Sequence, residues 1–199
     1  MSLAALRSVH PGLWLALGGA ILLLVGKKKA NPPPTGAPGR YFTWSELTTT
    51  SKNLDNTPTP EAADNLRALT ANLLDPLRER LGRPLGVNSG YRSPVVNAAV
   101  GGSKTSQHMT GEAVDLEPPA GFSSIEFAQY VLDSGLPVDQ VIWYDKARGG
   151  HTHVSFSHKR NRRQTLHAAA GSSGYEPWTP RPAPAAVAGI GTFKKSRSA

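Results

Sequence analysis

A proline- and glycine-rich segment at residues 30–40 separates an apolar N-terminal stretch from the rest of the chain. Clustered prolines and glycines disfavour helix and favour an extended spacer, so we interpret this segment as a linker. From Lys159 onward the sequence becomes basic and then rich in Pro, Ala, Gly and Ser, and we expect a largely irregular tail over residues 159–199. A single folded domain is therefore expected at residues 41–158, which is enough chain for one hydrophobic core.

The N-terminal stretch contains an almost unbroken apolar run at residues 12–26, with Arg7 before it and three lysines after it. At about 15 residues the run is shorter than the roughly 20 that typically span a bilayer, and a signal-peptide core has a similar length. No small-residue cleavage site follows the run. We therefore predict an uncleaved membrane anchor at residues 1–29, although the lysines favour a cytoplasmic location for the chain that follows.

Helix and strand signals are mixed along the predicted domain. Capping residues and leucines at helical spacing predict three helices, the first with a kink at Pro76. The helices are expected to run from Thr59-Pro60 to Leu81, from Ser93-Pro94 to Gly101-Gly102, and from Ser123 to Gly135. Strands are expected at residues 85–89, 113–116, 140–144 and 151–156. This mixture predicts an α+β fold, a small single domain with an antiparallel sheet and flanking helices.

The charge of the chain is unevenly distributed. The formal net charge is +8, yet ten positive charges fall in clusters at residues 27–29, 159–163 and 194–197. Subtracting these ten leaves −2 for the rest of the chain. A near-neutral centre argues against nucleic acid as a partner of the core domain, whereas the basic edges remain free to contact DNA, anionic lipid or cell-wall polymers.

A small set of histidines and one aspartate is the best candidate for a chemical site. The chain has no cysteine, so any metal must be bound through nitrogen and oxygen. His108 and Asp115 lie seven positions apart with Gly111 between them, and strand alternation would turn His151 and His153 to one face. Two histidines and a carboxylate are a normal ligand set for catalytic zinc, but each histidine considered alone could equally be a surface or hydrogen-bonded residue.

Several motifs occur in a defined order. They are Ser89-Gly90-Tyr91-Arg92-Ser93-Pro94, Asn97, Val100-Gly101-Gly102-Ser103, the segment Ser106 to Asp115, and His153-Val154-Ser155. Together they resemble the zinc D-alanyl-D-alanine carboxypeptidase family, which includes phage L-alanyl-D-glutamate peptidases and shares the fold of the Hedgehog signalling domain. The resemblance covers roughly Tyr41 to Phe156 and excludes the anchor, the linker and the tail.

The resemblance implies roles for four residues. The family pattern Ser-x-His-x-x-Gly-x-Ala-x-Asp is matched at every fixed position, which implies that His108, Asp115 and the later His153 bind Zn²⁺. An arginine upstream of the first ligand holds the substrate in family members, and Arg92 occupies that position. Its planar fork suits a carboxylate. A purely structural ion pair is the alternative for Arg92.

One departure from the family pattern concerns the residue that transfers protons. Many relatives carry an acidic residue three positions before the last histidine ligand, where this chain has Gly150. His151, on the expected metal-facing side of its strand, and Asp145, at the end of the preceding strand, are the two replacements that we predict. Glu112 is a third candidate. Asp145 and Glu112 could instead be solvated surface residues.

The resemblance implies a zinc-dependent peptidase that hydrolyses an amide bond in peptidoglycan peptides, either as a carboxypeptidase or as an endopeptidase. Such an enzyme would be membrane-anchored with its catalytic domain facing the cell wall or a phage envelope, against the orientation that the lysines favour. A non-catalytic, zinc-containing wall-binding protein of the same fold is the main alternative. A basic membrane-bound structural protein that contacts nucleic acid is a third hypothesis.

Overall fold

The computed structural model describes residues 33–182, so the predicted anchor and the end of the tail lie outside the described residues. The helical elements are α1 (Trp44–Thr48), α2 (Pro60–Leu69), a π-helical turn (Thr70–Leu74), α3 (Asp75–Leu81), α4 (Pro94–Ala99), α5 (Ser124–Asp133) and a 3-10 turn (Lys146–Arg148). The strands are β1 (Gly86–Ser89), β2 (Ala113–Glu117), β3 (Gln140–Tyr144), β4 (Thr152–Ser155), β5 (Gln164–Ala168) and β6 (Glu176–Pro177). Within residues 33–182, no helix has the length and apolar character needed to cross a membrane.

The six strands form one sheet in the order β1-β2-β4-β3-β5-β6. The pairs within β1 to β4 are antiparallel, as predicted, but β5 pairs with β3 in parallel, so the sheet is mixed. The predicted irregular tail is therefore wrong for residues 164–168 and 176–177, which extend the sheet past the expected domain limit at residue 158. The rings of Trp143 on β3 and His167 on β5 stack on each other, with 3.6 Å between their centroids.

The predicted long helix is present with one irregularity. Thr59 caps it by accepting a hydrogen bond from the backbone N–H of Ala62, as predicted. Before Pro76 the backbone N–H of Asp75 bonds to the carbonyl of Thr70, five residues back, which defines the π-helical turn. Because proline has no N–H and its ring crowds the preceding turn, a widened turn is a common way for a helix to continue through it. Where the sequence predicted a kink at Pro76, the structure has a π-helical turn immediately before it.

The two faces of the sheet have different roles. One face carries Val114, Val141 and Val154, which join the leucines of α2 and α3 and the apolar face of α5 in one buried cluster. The opposite face carries Asp115 on β2 and His153 on β4, because alternate residues of a strand point to opposite sides. The helices thus cover the core face, and the candidate site lies on the other.

Candidate metal centre

Three side-chain atoms converge on the face of the sheet opposite the core. Asp115 and His153 lie directly across from each other on β2 and β4. The Oδ1 atom of Asp115 is 2.9 Å from Nδ1 of His153 and 3.2 Å from Nε2 of His108. The two ring nitrogens are 3.2 Å apart. All three residues are buried, and their ligand atoms are close enough together to hold one metal ion.

The spacing of these atoms fits a small tetrahedral ion. With metal–ligand bonds of about 2.0–2.1 Å, a tetrahedral zinc site places its ligand atoms roughly 3.3 Å apart. Nδ1 of His108 lies 2.7 Å from the carbonyl oxygen of Gly90. Since a carbonyl can only accept, Nδ1 of His108 carries the hydrogen, and its Nε2 presents a lone pair to the cluster. Two histidines and one carboxylate therefore provide three ligands and leave a fourth position open.

The electrostatics of the cluster keep its carboxylate ionised. Burial alone would raise the pKa of Asp115, but the neighbouring His108 and His153 hold that pKa well below its usual range. The pKa of His153 is lowered, chiefly because its ring is buried, against the opposing effect of Asp115. An anionic carboxylate and a neutral imidazole are the protonation states that metal binding requires.

Two glycines allow the chain to bring His108 to the cluster. Gly111 has φ +74°, and a Cβ there would lie 2.2 Å from the carbonyl oxygen of Ala62 in α2. A Cβ at Gly90 would lie 2.2 Å from the carbonyl oxygen of Leu47 in α1. The backbone N–H of Gly111 donates to the carbonyl of His108, while the carbonyl of Gly90 orients its ring. Gly111 is thus required both by its backbone conformation and by its close contact with α2.

Arg92 lies beside the cluster, as the motif predicted. Its Nη2 is 3.6 Å from Oδ2 of Asp115, the carboxylate oxygen not used in the cluster, and its side chain is 20% exposed. Its backbone N–H donates to the carbonyl of His108. The Nε atom of Arg92 is buried, and within residues 33–182 it has no hydrogen-bond partner. The Arg92 guanidinium therefore has at least one N–H donor that no group within residues 33–182 accepts.

Asn56 holds the loop that carries Arg92, a role that the sequence did not reveal. Its Nδ2 donates to the carbonyls of Thr48 and Tyr91, and its Oδ1 accepts from the backbone N–H of Ser93. These three bonds connect the end of α1 to both sides of Arg92. An asparagine in a loop has no periodic signal, so burial of its amide is visible only in three dimensions.

His151 is the proton-transfer candidate that the structure places at the cluster. Its Nε2 lies 4.0 Å from Oδ1 of Asp115, its ring stacks on Tyr144 with centroids 4.0 Å apart, and its side chain is 19% exposed. Burial lowers the pKa of His151, with Asp115 opposing this effect and the charges of His108 and Arg92 adding to it. His151 is therefore partly accessible and faces the ligand atoms.

The structure places the two acidic candidates elsewhere. The carboxylate of Asp145 accepts from Nε2 of His167 at 3.1 Å and from the backbone N–H of Ala170 at 2.7 Å, so its contacts lie on the β5 side. The carboxylate of Glu112 accepts from the hydroxyls of Ser157 and Thr110. Within residues 33–182, neither carboxylate is hydrogen-bonded to the three ligand residues. These contacts do not support the predicted role of Asp145 or of Glu112 at the metal.

The loop before β4 explains why an acidic residue is absent there. Gly149 and Gly150 have φ +102° and +62°, a conformation that other L-residues adopt at a cost. A Cβ at Gly149 would also lie 2.9 Å from Nδ1 of His151. An acid at Gly150 would strain this turn, so the departure from the family pattern is matched by the backbone.

Comparison with known proteins agrees with the geometry. The model of the family described as Peptidase M15 matches residues 40–155. A curated relative, the zinc D-Ala-D-Ala carboxypeptidase of Streptomyces albus G, is 36% identical over 123 residues. That match covers 57% of this chain and 45% of the relative, so it spans less than half of the relative's length. The family resemblance predicted from the motifs is confirmed, and the chain belongs to the Peptidase M15 family.

Proposed function

We propose that this protein is a zinc peptidase that hydrolyses an amide bond in peptidoglycan peptides. The observation that carries the proposal is the convergence of Nε2 of His108, Oδ1 of Asp115 and Nδ1 of His153 within 3.2 Å of one another. The similar protein from Streptomyces albus G is described as a zinc D-Ala-D-Ala carboxypeptidase, which supports both the metal and the class of substrate. His108, Asp115 and His153 would hold the zinc ion, which would supply an acidified water as nucleophile and would polarise the carbonyl of the bond to be cut.

The residues around the three proposed ligands divide the remaining work. Arg92 has unused donors beside Asp115, and we infer that it holds a carboxylate or carbonyl oxygen of the substrate. His151 presents Nε2 to the cluster, where it can take a proton from the attacking water and return it to the leaving amine, or donate a hydrogen bond to the developing oxyanion. Asp115 can act as an anionic ligand because, against the effect of burial, His108 and His153 hold its pKa well below its usual range.

A wall-digestion assay with metal analysis tests this function. The full chain is expected to contain one zinc ion and to release new amino termini from purified peptidoglycan, with the bond identified by mass spectrometry. His108→Ala should lose both the zinc and the activity. His151→Gln should keep the zinc and lower kcat by roughly 10²- to 10⁴-fold, the usual contribution of a proton-transfer group. The exposed His158→Gln serves as the matched control.

A second candidate function is a zinc-containing wall-binding protein that has lost catalysis. The observation in its favour is Gly150, where many relatives carry an acid and where the backbone here has φ +62°. This candidate predicts that the wild-type chain binds zinc and sediments with peptidoglycan but releases no amino termini. That combined result would overturn the peptidase proposal, whereas cleavage that chelation abolishes would reject the binding-only function.

Membrane anchoring with a wall-facing catalytic domain remains a proposal. The apolar run that supports it, residues 12–26, lies outside the described residues. We expect the full chain to remain in the membrane fraction after alkaline carbonate extraction, and a chain lacking residues 1–29 to be released. Nucleic acid contacts by the basic edges are a separate prediction, and salt-sensitive DNA binding by the full chain would be their measurement.

A further inference from the structure

Arg148 is a cation to which the proposed mechanism gives no role. It ends the 3-10 turn between β3 and β4, the same connection that leads into His151. Its Nη1 donates to the carbonyl of Gly174 at 2.9 Å. Its guanidinium carbon lies 5.5 Å from the ring centroid of Tyr144 and 5.7 Å from that of Tyr175. The Arg148 guanidinium is therefore held by three contacts.

Two ring contacts limit the distance from Arg148 to His151, the proposed proton-transfer residue. The Tyr144 ring that it contacts also stacks on His151, with 4.0 Å between ring centroids. The guanidinium carbon can therefore be no farther from the His151 ring than the sum of the 5.5 Å and 4.0 Å separations. An extended peptide advances about 3.5 Å per residue, so this limit corresponds to roughly three residues of substrate.

Arg148 forms no salt bridge in the described part of the chain, although the pKa of Asp145 is lowered by hydrogen bonds from Ala170 and His167 and, after these, by the charge of Arg148. Within residues 33–182, no carboxylate lies within 4.0 Å of its guanidinium, whereas Arg92 and Arg162 have Asp115 and Asp139 as partners. The adjacent carboxylate in sequence, Asp145, is already engaged by other groups. A partly buried guanidinium is most stable with an anion in its fork, and none of these groups provides one.

Two of the three supports of Arg148, Gly174 and Tyr175, come from outside the family-matched region. The hydroxyls of Tyr144 and Tyr175 are 3.0 Å apart, and the two rings meet edge to face. Tyr175 is 49% exposed and precedes β6, whereas the family model ends at residue 155. The chain after β4 thus returns to the site and positions a cation there.

We propose that Arg148 binds a carboxylate of the peptide substrate, within roughly three residues of the bond that is cut, and that Tyr144 and Tyr175 hold its guanidinium in place. This inference rests on the proposed function and adds a specificity determinant to it. The ligand is a peptide carboxylate, because a guanidinium fork matches its two oxygens and keeps its charge at every physiological pH. Arg92 remains the arginine nearest the metal ligands.

Peptides that differ by one charge test the proposal. Peptidoglycan stem peptides are prepared with one carboxylate at a time, either the C-terminal one or that of the glutamyl residue, converted to the carboxamide. At one of these two positions, Arg148→Gln should lower kcat/KM for the peptide with the free carboxylate roughly 10- to 100-fold. The kcat/KM for the matching carboxamide peptide should stay nearly unchanged. Arg148→Lys should retain part of the preference. The exposed Arg83, which lies 5.5 Å from the Phe122 ring, provides the control Arg83→Gln.

Direct binding keeps the test independent of catalysis. Titration calorimetry with the acid and amide forms of the product peptides should show tighter binding of one acid form by the wild type and no discrimination by Arg148→Gln. Tyr175→Phe should weaken that discrimination and raise KM with little change in kcat. Equal losses for acid and amide forms would show that Arg148 is only structural and would overturn the inference. A wild type that binds with this preference but does not cleave would reject the proposed function and retain the role of Arg148.

Discussion

Gly111→Ala tests whether the turn of the zinc-binding motif is dictated by conformation, by contact with α2, or by both. Gly111 combines φ +74° with a position where a Cβ would meet the carbonyl oxygen of Ala62 at 2.2 Å. Two other glycines each have only one of these two features, the positive φ or the lack of space for a Cβ. Gly82 has φ +69° and open space around a Cβ, whereas Gly90 lacks a positive φ but would bring a Cβ within 2.2 Å of the Leu47 carbonyl oxygen.

The expected free energies of unfolding follow from these differences. An alanine in the left-handed region costs about 1–2 kcal/mol, partly offset by about 0.4–1 kcal/mol from the restricted unfolded chain. Gly82→Ala should therefore destabilise by about 1 kcal/mol. Forcing a methyl group against packed backbone costs about 1–3 kcal/mol, which is the expectation for Gly90→Ala. Gly111→Ala carries both costs and should lose about 2–4 kcal/mol.

Urea denaturation of the metal-free proteins measures these values, and chelator competition measures zinc affinity. Gly90→Ala and Gly111→Ala should also weaken zinc binding by about 10- to 100-fold, because both glycines hydrogen-bond to His108. Gly82→Ala should leave zinc affinity unchanged. If Gly111→Ala cost no more stability than Gly82→Ala, the contact with α2 would not be as close as described, and the reasoning would be refuted.

Three further outcomes are expected. Asp139 is buried and pairs with Arg162; burial alone would raise its pKa, but hydrogen bonds that include those from Arg162 lower it to about 2. The ionised form of Asp139 therefore stabilises the fold above about pH 4. The difference in unfolding free energy between wild type and Asp139→Asn, up to about 2 kcal/mol, should shrink as the pH falls towards 2. Chelation should lower the Tm and added zinc restore it, with about 4 kcal/mol of stabilisation at a thousand times the Kd, while His108→Ala should not respond. Asn56→Ala removes three hydrogen bonds, two of them to the residues on either side of Arg92, and should cost about 1–3 kcal/mol in urea denaturation. It should also raise KM more than it lowers kcat, and an unchanged KM would argue against a positioning role for Asn56.

The elements that the sequence predicted well have local signals. The capping box of Ser123 with Glu126 begins α5, and the strands β2, β3 and β4 lie within one or two residues of their expected limits. Alternation over the expected strand at residues 151–156 predicted that His151 and His153 share one face, and both rings approach Asp115 in the structure. What alternation could not provide is the registry of β2 against β4, which sets Asp115 directly across from His153.

The strand missed in the tail and the unexpected contacts of Asp145 have one physical cause. Strand β5 pairs with β3 through backbone hydrogen bonds between residues more than twenty positions apart, and its sequence between a basic cluster and a Ser/Gly-rich turn carries little periodicity. Without β5 there is no His167 to donate to Asp145, so the sequence alone leaves that carboxylate without a partner and makes it a candidate at the metal. The same segment contributes Gly174 and Tyr175, which position Arg148. Long-range pairing after residue 158 therefore both removes one candidate residue from the site and adds another to it.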